Sequence, residues 1–197
     1  MIIPEENIGY AFKVVIIGGP GVGKTCLFNR YCFNSFDINT KMTLGISFHS
    51  TYLRIKYNNI SEKQEKYVVN SIFDFGGQER FRPMIPKFLE GASGALLVFD
   101  LVNISSFQQL EYWYDMLIEH IGNSNIPKLL IGSKSDLLDK INPTETVHIE
   151  SINQFMKTKK LDGFFKTSAL ENYNILNVFK ELTNLMLKNH NCQAIVI

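Results

Sequence analysis

The residues with the most specific chemistry are Gly18-Gly19-Pro20-Gly21-Val22-Gly23-Lys24-Thr25, which fit the pattern G-x-x-x-x-G-K-[ST]. They follow an apolar run ending at Ile17 and precede a helix-like run from Cys26 to Phe33. Glycine lets successive backbone N–H groups wrap around a phosphate, and the helix start behind them adds partial positive charge. Lys24 supplies a point charge for the β and γ phosphates, and the Thr25 hydroxyl can ligate Mg²⁺. Expected nucleotide contacts therefore run through Gly21, Val22, Gly23, Lys24, Thr25 and Cys26. A glycine-rich turn carrying a solvated lysine is the alternative, and the strand-to-helix context argues against it. Adenine and guanine are both open at this point.

Three later segments narrow the choice. Asp74-Phe75-Gly76-Gly77-Gln78 closes a hydrophobic run, placing a carboxylate near a phosphate-bound Mg²⁺ and a glycine N–H near a γ-phosphate. Gly132-Ser133-Lys134-Ser135-Asp136 closes another, and Thr167-Ser168-Ala169 precedes the last helical pattern. A carboxylate at Asp136 accepts two N–H bonds from N1 and N2 of guanine, whereas adenine offers no such pair of donors. Hydrogen bonds to a charged group contribute about 1.5–3 kcal/mol each, enough to select guanine.

The elements that must position these residues follow from periodicity. Nearly continuous apolar runs from Phe12 to Ile17, Tyr67 to Phe73, Gly94 to Leu101 and Lys128 to Ile131 suit strands covered on both faces. Phe107, Leu110, Tyr114, Leu117 and Ile121 recur at helical spacing, and Ser105 with Gln108 forms a capping-box start. Asn142-Pro143 with Glu145 predicts a second helix start, leading to Ile149, Ile152 and Met156. Ile175, Phe179, Leu182 and Met186 predict the last helix. Between Gly45 and Phe75 the pattern is strand, polar turn, strand, which is an antiparallel hairpin at a sheet edge. The alternation elsewhere is that of an α/β fold, with a mostly parallel sheet and helices on both faces.

With these motifs in place, the chain resembles the Ras superfamily of small GTPases, and within it the Rab branch, from about Ala11 to Lys188. Thr43-Leu44-Gly45-Ile46-Ser47-Phe48 is similar to the Rab switch I segment and Asp74 to Phe81 to switch II; Phe99-Asp100 with Ser106-Phe107 is similar to the entry into the family's third helix. Phe36 and Thr43 lie 11 and 18 residues beyond Thr25, as the family's guanine-packing aromatic and switch I threonine do. The resemblance implies a P-loop NTPase fold with a six-stranded, mostly parallel sheet and one antiparallel edge strand. It implies that Thr25, Thr43 and Asp74 hold Mg²⁺, that Thr43 and Gly77 sense the γ-phosphate, and that Gln78 orients the attacking water. It places Lys134 along the base, Asp136 on its edge and the Ala169 N–H on its carbonyl, with Ser133, Leu137, Ser168 and Leu170 completing the pocket. The implied activity is a GTP/GDP switch in membrane trafficking or signalling that hydrolyses GTP slowly. The implied partners are effector, exchange-factor and GTPase-activating proteins. Phe48, Phe73 and Phe88 match an aromatic triad that contacts effectors in Rab proteins.

Four departures stand out. Pro20 lacks an N–H where relatives carry glycine or serine, removing one potential phosphate donor. Ser133 replaces asparagine, Thr40 replaces tyrosine, and Phe75-Gly76 replaces Thr-Ala, with Gly76 similar to the Arf branch. Two prolines, Pro83 and Pro86, limit helix in switch II. Pro20 and Ser133 leave open a nucleotide-bound pseudo-GTPase that does not turn over.

Composition excludes other classes. The 197 residues, with 20 Lys and Arg against 19 Asp and Glu, carry a net charge of +1, which is no nucleic-acid footprint. Hydrophobic residues at 45% supply a full core for one domain, read as a G domain over 11–188 flanked by an extension over 1–10 and a tail over 189–197. Three cysteines favour a reduced, cytoplasmic compartment. Neither a leader, a transmembrane run nor a standard prenylation motif is visible, leaving peripheral membrane association to another route. The four histidines lack metal-ligand spacing, and Arg80 and Arg82 read as surface charges rather than as an arginine finger in cis.

Overall fold

The protein is described by a computed structural model covering residues 3–40, 43, 45–57, 65–77, 79–122 and 125–197. Its centre is strand β1 (Ile8–Ile17), which pairs in parallel with β3 (Lys66–Phe75) on one side and β4 (Gly94–Asp100) on the other. Beyond β4 lie β5 (Lys128–Ser133) and β6 (Gly163–Lys166), both parallel. Beyond β3 lies β2 (Ile46–Tyr57), antiparallel to it. Because β1, β3, β4, β5 and β6 run in one direction, their carboxyl ends share one edge, where ligands bind in open α/β sheets.

Alternation along β1 divides the core. Val14 and Ile16 face a cluster with α1 (Lys24–Phe33) and α6 (Ile175–Asn189), whereas Val15 and Ile17 face α2 (Pro86–Leu89), α4 (Leu110–His120) and α5 (Ile149–Lys159). The predicted apolar face of α6 is buried at Ile175, Phe179, Leu182 and Met186. Full burial of such side chains contributes about 1.5–3 kcal/mol each.

Several expectations need correcting. Among the described residues the sheet has seven strands, not six, in the order β6-β5-β4-β1-β3-β2-β7. The added β7 (Ala194–Val196) comes from the tail and pairs antiparallel with β2, so β2 is not the edge strand. Val196 donates its N–H to Asn184 Oδ1 at 2.8 Å, and Ile197 donates to the Arg54 carbonyl at 3.0 Å. A three-residue strand leaves little edge for pairing with another chain. At the other terminus, β1 begins at Ile8, so the sheet takes in residues on both sides of the expected 11–188 core.

Two helix starts also differ. Asn103, not Ser105, caps α3 (Ile104–Gln108), accepting from the Ser106 N–H, and α4 starts anew at Leu110. Asn142 caps only a single 3₁₀ turn, Pro143–Glu145; α5 begins at Ile149. Switch II is short, as its prolines imply, with a 3₁₀ turn over Glu79–Met84 and then α2, which has Pro86 in its first turn. The polar turn from Asn58 to Lys63, and residues 41, 42, 44 and 78, lie outside the described residues. Among the described residues no helix is long and apolar enough to cross a membrane.

Candidate nucleotide site

The phosphate loop joins β1 to α1, whose N-cap is Gly23. Lys24, only 5% exposed, donates to the carbonyls of Gly18 at 2.8 Å and Gly19 at 2.6 Å. Burial lowers its pKa to about 8, while the nearby Asp74 opposes the shift. A buried ammonium held by neutral carbonyls is a charge prepared for an anion.

Beside it three oxygen-bearing side chains converge. Thr25 Oγ1 lies 2.5 Å from Thr43 Oγ1 and donates to Asp74 Oδ2 at 2.6 Å. Asp74 is completely buried, and burial raises its carboxyl to about 6 against the pull of Thr25, Lys24 and Thr43. Its second oxygen, Oδ1, is buried without a hydrogen-bond partner among the described residues. An orphaned carboxylate oxygen beside two hydroxyls fits a hard divalent cation such as Mg²⁺ and its waters. Thr25, Thr43 and Asp74 are the residues that would hold it.

Switch I is braced on switch II by backbone. The Gly76 N–H donates to the Gly45 carbonyl at 2.9 Å, and a Cβ on Gly76 would lie 2.6 Å from the Thr43 carbonyl. One on Gly77 would lie 2.6 Å from Pro20 N. Gly76 thus abuts switch I while its neighbour Gly77 abuts Pro20, so the segment after β3 touches both switch I and the phosphate loop.

At the other end, Asp136 Oδ1 accepts the Ser168 hydroxyl at 2.6 Å, and Ser168 Oγ in turn accepts the Glu171 N–H at 3.1 Å. Lys134, in left-handed backbone with φ 59°, forms an ion pair with Asp100 Oδ2 at 2.7 Å. The Ser133 hydroxyl faces two carbonyls, Val22 O at 2.5 Å and Phe99 O at 2.9 Å. Its one hydrogen, shared between these two carbonyls, ties β5 to β4 and to the phosphate loop.

These groups line one cleft of about 470 Å³. Of the expected residues, Gly21, Gly23, Lys24, Thr25, Cys26, Phe36, Thr43, Gly77, Ser133, Lys134, Asp136, Leu137, Ala169 and Leu170 are on its wall. Val22, Ser168 and Asp74 are buried behind it, and Gln78 lies outside the described residues. The cleft also takes in Thr40, one of the four departures, and Asp37, Ile38 and Lys140, which the motifs did not single out. Asp100 was a usable signal as a carboxylate at the end of a strand; its partner Lys134 lies 34 residues on, beyond any local pattern.

Chain-wide similarity agrees with this geometry. The sequence pattern of the Ras family matches residues 13–188. The chain belongs to the Ras family. Within that family it is 36% identical to the Ras-related protein RABA1c of Arabidopsis thaliana over 90% of this chain and 76% of that protein. It is 35% identical to the Ras-related protein YPTC6 of Chlamydomonas reinhardtii over 91% of this chain and 76% of the relative. Against the Ras-related protein Rab11B of Nicotiana tabacum the identity is 34%, over 93% and 78% of the two chains. The Rab branch of the small GTPases is the assignment these relatives give.

On this Ras-family fold the aromatic triad keeps an accessible edge. Phe48 is 57% exposed, with its ring centroid 5.0 Å from that of half-buried Phe73. Phe88 is half-buried beside Phe75.

Proposed function

We propose that this Rab-branch GTPase is a GTP/GDP switch that binds Mg²⁺ with its nucleotide and engages effectors through its switch segments in the GTP state. The observation that carries the reading is one cleft lined by Lys24, Thr25 and Thr43 at one end, with Asp74 buried behind them, and by Asp136 at the other, held from behind by Ser168. Its charge distribution suits a nucleotide, with phosphates at the cationic Lys24 end and the base at the Asp136 carboxylate. When bound, Mg²⁺ supplies charge neutralisation at the phosphates. Lys24 binds the β and γ phosphates, Thr43 and Gly77 report the γ-phosphate, and Gln78 orients the attacking water. Phe36 packs on the guanine, Asp136 accepts from its N1 and N2, and the Ala169 N–H meets its carbonyl. Loss of the γ-phosphate removes what holds switch I and switch II, and effectors that read Phe48, Phe73 and Phe88 are released. Exchange factors and GTPase-activating proteins set the two rates, in membrane trafficking or signalling.

The pseudo-GTPase alternative drew on Pro20 and Ser133. Ser133 retains a tie to the phosphate loop, which removes half of that motive. Single-turnover hydrolysis of [γ-³²P]GTP tests the rest: the native protein should turn over slowly and Gln78→Leu at least tenfold more slowly, by the loss of water positioning. Equal, negligible rates in both, even with activating extract added, would overturn the hydrolytic reading.

A further inference from the structure

We propose that Arg30 is a positioning residue for guanine recognition, clasping the base-side loop after β6 and the aromatic Phe36 from behind. It sits in the last turn of α1. Its Nε donates to the Ala169 carbonyl at 2.8 Å and its Nη2 to the Leu170 carbonyl at 3.4 Å. Nη1 turns back to the Asn34 carbonyl at 3.1 Å and to Asn34 Oδ1 at 3.3 Å. The guanidinium carbon stands 6.0 Å from the centroid of the Phe36 ring.

A cation in the last turn of a helix complements its dipole, and Nη1 on Asn34 performs that structural task. Nε and Nη2 leave the helix and cross to a loop 139 and 140 residues away in sequence. Consecutive carbonyls there accept one planar fork, which a lysine ammonium cannot reproduce. Fixing the peptide that follows Ala169 limits rotation about Ala169, and so the direction of the N–H assigned to the guanine carbonyl. Ser168 is held separately, through its pairing with Tyr173 and its bonds to Asp136 and Glu171. The loop thus has two anchors: one at Ser168, which orients the carboxylate for N1 and N2, and one at Arg30, which orients Ala169 for the carbonyl. Phe36, which covers the face of the base, leans on the same guanidinium. One side chain therefore ties the end of α1, the start of switch I and the base loop.

The proposal rests on the guanine-nucleotide reading, and its test separates the two. Dissociation constants of GDP, 6-thio-GDP, IDP and ADP are measured for the native protein, Arg30→Ala and Arg30→Lys. 6-Thio-GDP keeps both donors for Asp136 and changes only the acceptor for Ala169; IDP lacks the 2-amino group that Asp136 reads. Arg30→Ala should weaken GDP about tenfold, the scale of one charge-assisted hydrogen bond. It should also narrow the preference for GDP over 6-thio-GDP while leaving GDP over IDP within twofold of native. Arg30→Lys should move the same way while keeping charge and stem, which guards against a folding defect in the alanine variant. GDP affinity within twofold of native in both variants would overturn the proposal. So would equal weakening of GDP, 6-thio-GDP and IDP, which marks general loosening of the fold. A native protein that binds GDP and 6-thio-GDP alike removes the Ala169 contact itself, and one that binds ADP as well as GDP sinks the guanine reading beneath it.

Discussion

The two ends of the cleft are built differently. On the base side the groups are already tied to other protein groups: Asp136 to Ser168, Lys134 to Asp100, the Ser135 N–H to the Thr167 carbonyl at 3.0 Å. On the phosphate side the strongest groups are held against neutral partners or lack them: Lys24 on two carbonyls, Asp74 with one oxygen unpartnered, Thr43 resting on Thr25. A preorganised end is ready to bind before the ligand arrives, so its interactions appear as affinity and base selectivity. An end whose charged groups make fewer ties to the protein gains more order from a ligand, so its interactions appear as a change of state. On the proposed function, the first end would hold a nucleotide and the second would report which one is held.

The sharpest break in this comparison is Asp136→Asn. Removing two charge-assisted acceptors of about 1.5–3 kcal/mol each should weaken GDP about 10²–10⁴-fold. Xanthosine diphosphate, which offers a carbonyl where guanine has its amino group, should recover part of the loss in competition binding. If GDP and xanthosine diphosphate keep their native ratio, the base side has been misassigned.

The second effect belongs to the phosphate side and depends on pH. Lys24 stands at about 8 because burial disfavours its charge. A bound diphosphate raises that value, so above about pH 8 binding must take up a proton. GDP affinity should be flat from about pH 6.5 to 7.5 and then fall as pH rises through 8, approaching tenfold per unit. Calorimetry in buffers of different ionisation enthalpy would detect the proton uptake. Affinity that rises with pH over this window would contradict a buried ammonium as the phosphate anchor.

A smaller effect distinguishes reporting from holding. Thr43→Ala removes one of the three converging oxygens, and should reduce the preference for GTP over GDP about tenfold in Mg²⁺ while leaving GDP within a few-fold of native. Equal weakening of both nucleotides would make Thr43 part of the holding side. Fluorescent analogue displacement measures both.

What could be read from the sequence follows the range of each interaction. The phosphate loop is contiguous and its conformation is local, so the place of Gly18 to Thr25 between β1 and α1 could be read from sequence. Asp74, Ser133 and Asp136 were readable because strands end in registered motifs. Helix starts failed where two candidates compete: Asn103 displaces Ser105 by accepting the Ser106 N–H, and Asn142 caps a 3₁₀ turn while α5 waits until Ile149. Strand β7 is three residues long, too short for periodicity, and forms because β2 leaves an open edge beside Asn184. Arg30 and Asp100 act through partners 139 and 34 residues away, where no local pattern exists. Gly76 looked like a subfamily mark; the 2.6 Å approach to the Thr43 carbonyl supplies a steric reason for it.

Ser133 is the joint between the two ends, and its removal should give the smallest and most selective effect. Its hydroxyl reaches Val22 O in the phosphate loop and Phe99 O in β4 from the last residue of β5, just ahead of Lys134 and Asp136. A base contact would make Ser133→Ala change discrimination between GDP and IDP. A joint predicts something else: both nucleotides should leave about fivefold faster, as expected for about 1 kcal/mol from one neutral hydrogen bond, with their ratio unchanged. Stopped-flow release of labelled GDP and IDP reads both quantities. An unchanged ratio with faster release places Ser133 between the holding and reporting ends, whereas a changed ratio moves it onto the base.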